Sequence, residues 1–222
     1  EFNIHSYDTY ENFKILGYLL VGYDANGNKY IGKLNVDKIY GGNNLGGTTT
    51  SANINLTNGN INTIFGGGNK ASVTTASTNI NNVTVNKSIY GGGNEADVSS
   101  VTLNIDSSTI GNAENKAVIY GGGNAAVVGE NTNIHISNTN VNDSVYAGGN
   151  GVLAVVNGNT NLDIDDNTTI GKHVFGGGNA AATGLEKNNN SKGIVNVVGA
   201  TIGGNVYGGA NTSRLYGDTT VN

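Results

Sequence analysis

From about residue 39 onward, aliphatic and polar residues alternate. Asn53-Ile54-Asn55-Leu56, Asn133-Ile134-His135-Ile136 and Asn161-Leu162-Asp163-Ile164 put an aliphatic at every second position, as do Leu103-Asn104-Ile105 and Val195-Asn196-Val197. Period two is the pattern of a half-buried strand, and no stretch shows the longer 3.6-residue pattern of a helix. Another aliphatic follows each alternating stretch: Ile61, Val85, Ile110, Val141, Ile170 or Ile202.

A short phrase then closes the unit: a β-branched aliphatic, an aromatic, a glycine run and Asn. It reads Ile39-Tyr40-Gly41-Gly42-Asn43, Ile64-Phe65-Gly66-Gly67-Gly68-Asn69, Ile89-Tyr90-Gly91-Gly92-Gly93-Asn94 and Ile119-Tyr120-Gly121-Gly122-Gly123-Asn124. It returns as Val145-Tyr146-Ala147-Gly148-Gly149-Asn150, Val174-Phe175-Gly176-Gly177-Gly178-Asn179 and Val206-Tyr207-Gly208-Gly209-Ala210-Asn211. Successive aromatics lie 25, 25, 30, 26, 29 and 32 residues apart. A recurrence of that length marks stacked supersecondary units.

These patterns predict an all-β fold: a parallel β-helix, or β-solenoid, of about seven coils over residues 39–222. Ile, Val and Leu point inward as continuous columns, with Ile64, Ile89, Ile119 and Val145 sharing one interior. The Asn of each phrase forms a hydrogen-bonded amide ladder. A small residue two positions past that Asn (Ala71, Ala96, Ala126, Ala181) belongs to the same turn. Insertions at 112–116 and 186–192 keep the phase and so belong in outer turns.

Residues 1–38 do not repeat. Ile15 to Tyr23 and Lys29-Tyr30-Ile31 flank Asp24-Ala25-Asn26-Gly27-Asn28, which reads as a β-hairpin with a Gly/Asn turn. The hairpin is expected to cap the open end of the stack, or to end a preceding domain. There is no initiator Met, and Gly217 to Asn222 opens like another coil, so the natural chain is expected to continue.

Composition narrows the chemistry. The 222 residues include 36 Gly and no Pro, Cys, Met or Trp, with a formal net charge of −5. Without Cys there are no disulfides and no thiolate metal sites. One Arg, Arg214, and an acidic balance argue against nucleic acid as a partner. No apolar run reaches the length of a membrane span. The glycine runs lack the lysine and following helix of a phosphate cradle, so their reason is steric: a tight turn or the close approach of another surface.

Two readings stand for the aromatic column Tyr40, Phe65, Tyr90, Tyr120, Tyr146, Phe175 and Tyr207. If Ile/Val is inside, the rings face out and form an exposed strip that stacks on sugar rings. Alternatively the phrase lies at a bend and the rings stack on one another as structure. Asp163, Asp165 and Asp166 are the densest carboxylate group and the candidates for glycosidase-type acid, base or nucleophile; the alternative is a solvated polar face. Of His5, His135 and His173, only His135 sits clearly on a strand, facing out, and no metal-type spacing is present. The Asp24–Asn28 segment departs from an EF-hand loop. The Thr-rich spots are too irregular for an ice-binding grid. The sequence implies no cofactor and no metal.

The aliphatic-aromatic-Gly-Gly-Gly-Asn phrase, with Asn-Ile-x-Ile strands between, resembles the repetitive β-helix surface proteins of bacteria, adhesin-like or cell-wall-associated. The resemblance covers residues 39–222. It implies export to the cell surface or the extracellular space, and a non-catalytic role: binding a polysaccharide, host glycan or cell-wall polymer, or acting as a rigid spacer. A polysaccharide lyase or hydrolase on the same scaffold is the second reading. A phage tail-fibre segment is the third, and would need trimerisation.

Overall fold

A computed structural model describes residues 20–23, 29–32 and 35–222. Among the described residues there is no helix; of twenty strands, eighteen build a β-solenoid of about seven coils. Leu20–Tyr23 pairs antiparallel with Lys29–Gly32, as the hairpin pattern predicts. The intervening turn, Asp24–Asn28, and His5 lie outside the described residues.

One parallel sheet has seven strands, one per coil: Thr49–Thr57, Val73–Asn81, Val98–Asp106, Thr132–Ser137, Thr160–Ile164, Ser191–Val197 and Gly217–Val221. We call it the long sheet. In the first three coils its strands reach nine residues, because a Ser/Thr pair, Thr50-Ser51, Thr74-Thr75 or Ser99-Ser100, carries each strand back from its alternating part. The second sheet holds eleven strands. Its first three coils use one strand each, Asn35–Tyr40, Asn60–Phe65 and Thr84–Tyr90. From the fourth coil onward each strand splits in two, as in Thr109–Ile110 and Val118–Tyr120. The insertion at 112–116 lies between those two pieces, exposed. A third, minimal side is a line of single bridges, Val98 to Val128 to Val156 to Thr183 to Leu215.

Register makes the interior continuous. Ile39, Ile64, Ile89, Ile119, Val145, Val174 and Val206 are successive partners in one column. The aliphatics Val36, Ile61, Val85, Ile110, Val141, Ile170 and Ile202 make a second. Leu56, Ile80, Ile105, Ile136, Ile164 and Val197 face them from the long sheet. Most of these side chains are fully buried in one cluster. At the strand spacing of about 4.8 Å, seven coils rise roughly 30 Å.

Two kinds of corner turn the chain. Between the long and second sheets, Asn58, Asn82, Ser107, Asn138, Asn167 and Gly199 occupy the left-handed region, with φ between 46° and 65°. Asn tolerates that conformation better than most residues, and glycine best of all. The other corner is the glycine run. None of its glycines has positive φ. They are glycine because the next coil lies against them: a Cβ on Gly66 would meet the Gly91 carbonyl oxygen at 2.1 Å, and one on Gly122 the Gly149 nitrogen at 2.7 Å. Of the two steric reasons considered for the run, close approach is the operative one.

Beyond the glycines runs the expected amide ladder. Each Nδ2 donates to the Oδ1 one coil earlier, through Asn69, Asn94, Asn124, Asn150, Asn179 and Asn211, over 2.7–3.2 Å. Its first member is Asn44, not the Asn43 of the phrase. The first glycine run is one residue short, so Asn43 occupies the third glycine position. The small turn residues Ala71, Ala96, Ala126 and Ala181 are buried beside this corner, and Ala154 is their partner in the fifth coil. Two extra residues hid that equivalence; they emerge as exposed Val152 and Leu153.

Candidate functional site

The aromatic column is a closed stack. Ring centroids are 4.7–5.2 Å apart and planes lie within 2–13° of parallel, from Tyr40 through Phe65, Tyr90, Tyr120, Tyr146 and Phe175 to Tyr207. The rings do lie outside the aliphatic interior, in a cluster of their own. They do not form the exposed strip expected from alternation. Phe65, Tyr90, Tyr120, Tyr146 and Phe175 are only 5–8% exposed; Tyr207, in the last coil, is 43% exposed. Each ring covers the faces of its neighbours, so within the stack no face is open to a sugar. Burial raises the hydroxyl pKa of Tyr40, Tyr90, Tyr120 and Tyr146; for Tyr120 the neighbouring Tyr90 and Tyr146 add to it, and for Tyr146 so does Asp143.

The outer face of the long sheet is where polar side chains gather in the open. Two outward columns flank the inward Leu56, Ile80, Ile105 and Ile136. The first is Asn55, Asn79, Asn104, His135, Asp163 and Asn196. The second is Thr57, Asn81, Asp106 and Ser137. Between them runs a shallow groove of about 270 Å³, floored by strand backbone and walled by these side chains from Asn55 to His135 and from Thr57 to Ser137. Asn79 donates to Asn55 at 2.9 Å and Asn104 to Asn79 at 2.8 Å.

Asp106 is the hub of the second wall. Its Oδ1 accepts from Ser137 Oγ at 2.8 Å and Asn138 Nδ2 at 2.9 Å. Its Oδ2 accepts from Asn81 Nδ2 at 2.8 Å and Ser107 Oγ at 3.0 Å. The bonds from Asn138 and Ser137 hold its carboxyl below the usual carboxylate range. An Asn there would donate in one direction and accept in the other; the carboxylate accepts from the coils on both sides.

The carboxylates proposed from sequence stand at the upper end of this face. Asp163 follows His135 in register, and Asn196 donates to its Oδ1 at 2.6 Å. Asp165 lies beyond the end of the Thr160–Ile164 strand, and its Oδ2 is 2.7 Å from His135 Nε2. His135 is their neighbour on the preceding coil, because register stacks it directly before Asp163. Asp166 is exposed in the following turn. Asp143 lies elsewhere and pairs with Lys172 at 2.7 Å beside the second sheet. His173 accepts from the Asn205 amide at Nδ1 and sits edge-on to Phe175.

A second amide ladder along the left-handed corner, with Asn82 donating to Asn58 and Asn167 to Asn138, is absent from the sequence reading. Its signal is present: an Asn two positions past the last inward aliphatic, as in Leu56-Thr57-Asn58, Ile80-Asn81-Asn82 and Ile136-Ser137-Asn138. Among the described residues no group of three or more His, Cys, Asp or Glu converges as a metal site, and no helix is long and apolar enough to cross a membrane. Comparison with protein families, curated proteins and solved structures finds no match to this chain.

Proposed function

We propose that this chain is a non-catalytic, rod-shaped segment of a bacterial surface or secreted protein, adhesin-like, that presents the outer face of its long sheet to carbohydrate. One observation carries the reading. The groove on that face is walled by Asn amides repeated coil by coil, whose ladder bonds use only part of their hydrogen-bonding capacity. A primary amide has two N–H donors and an oxygen with two lone pairs. Asn79 spends one donor and one lone pair within the ladder, and the remainder faces out. Sugar hydroxyls, which both donate and accept, are the natural complement of such a surface. The stacked core and ladders supply stiffness, and stiffness keeps the face in shape before a ligand arrives. A Cys-free, Asn- and Gly-rich repeat suits an exported protein.

The test is a glycan array paired with an assay for released reducing ends. Binding without release supports the reading; no binding to any glycan overturns it. A second reading, a glycoside hydrolase, draws on the contact of His135 with Asp165 next to Asp163. It requires release that is lost in Asp163→Asn or Asp165→Asn.

A further inference from the structure

We infer that the groove between the Asn55 and Thr57 columns takes a linear, uncharged polysaccharide, extended parallel to the rod axis, with one sugar opposite each coil. This rests on the carbohydrate reading above and specifies the ligand class.

The first argument is repeat distance. Side chains along the groove recur once per coil, at the strand spacing of about 4.8 Å. An equatorially linked pyranose chain, extended as in cellulose or chitin, advances by close to that distance per ring. Successive sugars therefore meet positions equivalent in register and polar in every coil: Asn55 and Thr57, Asn79 and Asn81, Asn104 and Asp106, His135 and Ser137. A helical or strongly bent glycan would fall out of step within two coils.

The second argument is hydrogen-bonding capacity. Asn79 uses one N–H toward Asn55 and lends one lone pair to Asn104. It keeps one donor and one acceptor at its outward edge, the pair that adjacent equatorial hydroxyls, or a hydroxyl beside an N-acetyl group, satisfy together. Thr57 and Asn81 offer polar groups across the groove, and both are exposed. The lining contains no Phe, Tyr or Trp, so recognition is by hydrogen bonds, and avidity along a polymer multiplies what each sugar contributes.

The third argument concerns charge and width. The acidic side chain in the wall is Asp106, an acceptor in four protein hydrogen bonds; as a carboxylate it has no donor to offer an anion. Asp163 and Asp165 stand above the groove, and the chain's net charge is −5. A uronic-acid or phosphate polymer meets repulsion with no Lys or Arg in the lining. The two walls are two residues apart along a strand, about 6.6 Å. Less the thickness of the wall side chains, that leaves room for the substituents on a ring's edge and turns away a chain branched toward the floor.

The experiment titrates the folded chain with cellulose-type and chitin-type oligosaccharides from disaccharide to hexasaccharide, and with galacturonate oligomers of the same lengths. Binding is read calorimetrically and from the Asn side-chain N–H resonances. For at least one neutral series, affinity is expected to rise about threefold per sugar up to the tetrasaccharide and then level off. The resonances of Asn79 and Asn104 shift, and galacturonate leaves them unmoved. Thr57→Trp fills the groove from an exposed position without touching the ladder and is expected to weaken the tetrasaccharide by roughly tenfold or more. Galacturonates binding as well as linear neutral oligomers would overturn the inference while the carbohydrate reading stood. So would an affinity indifferent to length, or to Thr57→Trp. Silence toward every glycan removes both.

Discussion

The middle glycine of every phrase but the last lies with its Cα against the following coil. Positions one and three admit exceptions: Ala147 holds the first, and Asn43 and Ala210 hold the third. The middle position, Gly42, Gly67, Gly92, Gly122, Gly148, Gly177 and Gly209, admits none. A Cβ on Gly122 would lie 2.7 Å from the Gly149 nitrogen and 2.8 Å from its Cα, both rigid backbone. A Cβ on Gly209 has nothing within 4 Å. Gly122→Ala is therefore expected to destabilise the chain by about 3 kcal/mol through overpacking, and Gly209→Ala by less than about 0.5 kcal/mol. The two substitutions are chemically identical and occupy the same place in the phrase. Urea midpoints read the difference. Equal effects would mean that the run is glycine for its turn, not for the approach of the next coil. That glycine serves sterics here was legible in the sequence. Which surface approaches it was not, because the approaching atoms belong to a residue 27 positions away.

At the scale of the element, alternation told which side of a strand a residue occupies but not what covers that side. The aromatics are outside the aliphatic interior, as the pattern says, yet most are buried, since their cover comes from equivalent rings one coil up and down. The same gap hid the His135–Asp165 contact and moved the start of the amide ladder from Asn43 to Asn44. Both depend on register between coils, which unequal spacings of 25 to 32 residues blur in the sequence. The closed stack has its own consequence. Burial raises the Tyr90, Tyr120 and Tyr146 hydroxyl pKa values above their unfolded value near 10. The folded chain then holds protons that the unfolded chain releases, so stability falls with rising pH. The tyrosine contribution is intact below about pH 10 and is lost as pH climbs from there through the folded-state values. Alkaline urea titrations are expected to show this decline, and Tyr120→Phe combined with Tyr146→Phe to flatten it. Phe65 and Phe175 already occupy the column, so the double variant should stay within about 1 kcal/mol of the parent at neutral pH. An unchanged alkaline slope would place the titrating groups outside the stack.

The molecule as a whole is a one-dimensional array, and its stability should behave as a sum over coils and their interfaces. Each column continues through every seam, so any coil can in principle rest on any other that shares its phase. Deleting residues 66–90 removes one period and joins Phe65 directly to Gly91. The junction still reads aliphatic, aromatic, three glycines and Asn. The Asn60–Phe65 strand then meets Thr109–Ile110 and Val118–Tyr120, bringing Ile61 onto Ile110 and Ile64 onto Ile119. In the long sheet Ile54 meets Leu103 and Leu56 meets Ile105. The ladder reconnects Asn44 to Asn94, and the deletion also removes Thr78, whose hydroxyl is buried without a partner. The shortened chain is expected to fold with an unchanged all-β circular dichroism spectrum. Its urea m-value should fall by roughly one seventh, because m follows the surface exposed on unfolding. Deleting only residues 66–78 is the contrast: it removes the glycine corner and most of the Val73–Asn81 strand, so Asn60–Phe65 runs straight into Asn79 with no turn onto the long sheet, and Thr49–Thr57 loses its partner. That variant should not fold cooperatively. If both deletions fold equally well, coil-to-coil register is not what holds this chain together; if neither folds, the coils are not interchangeable units, and the rod's stiffness has some source other than its shared columns.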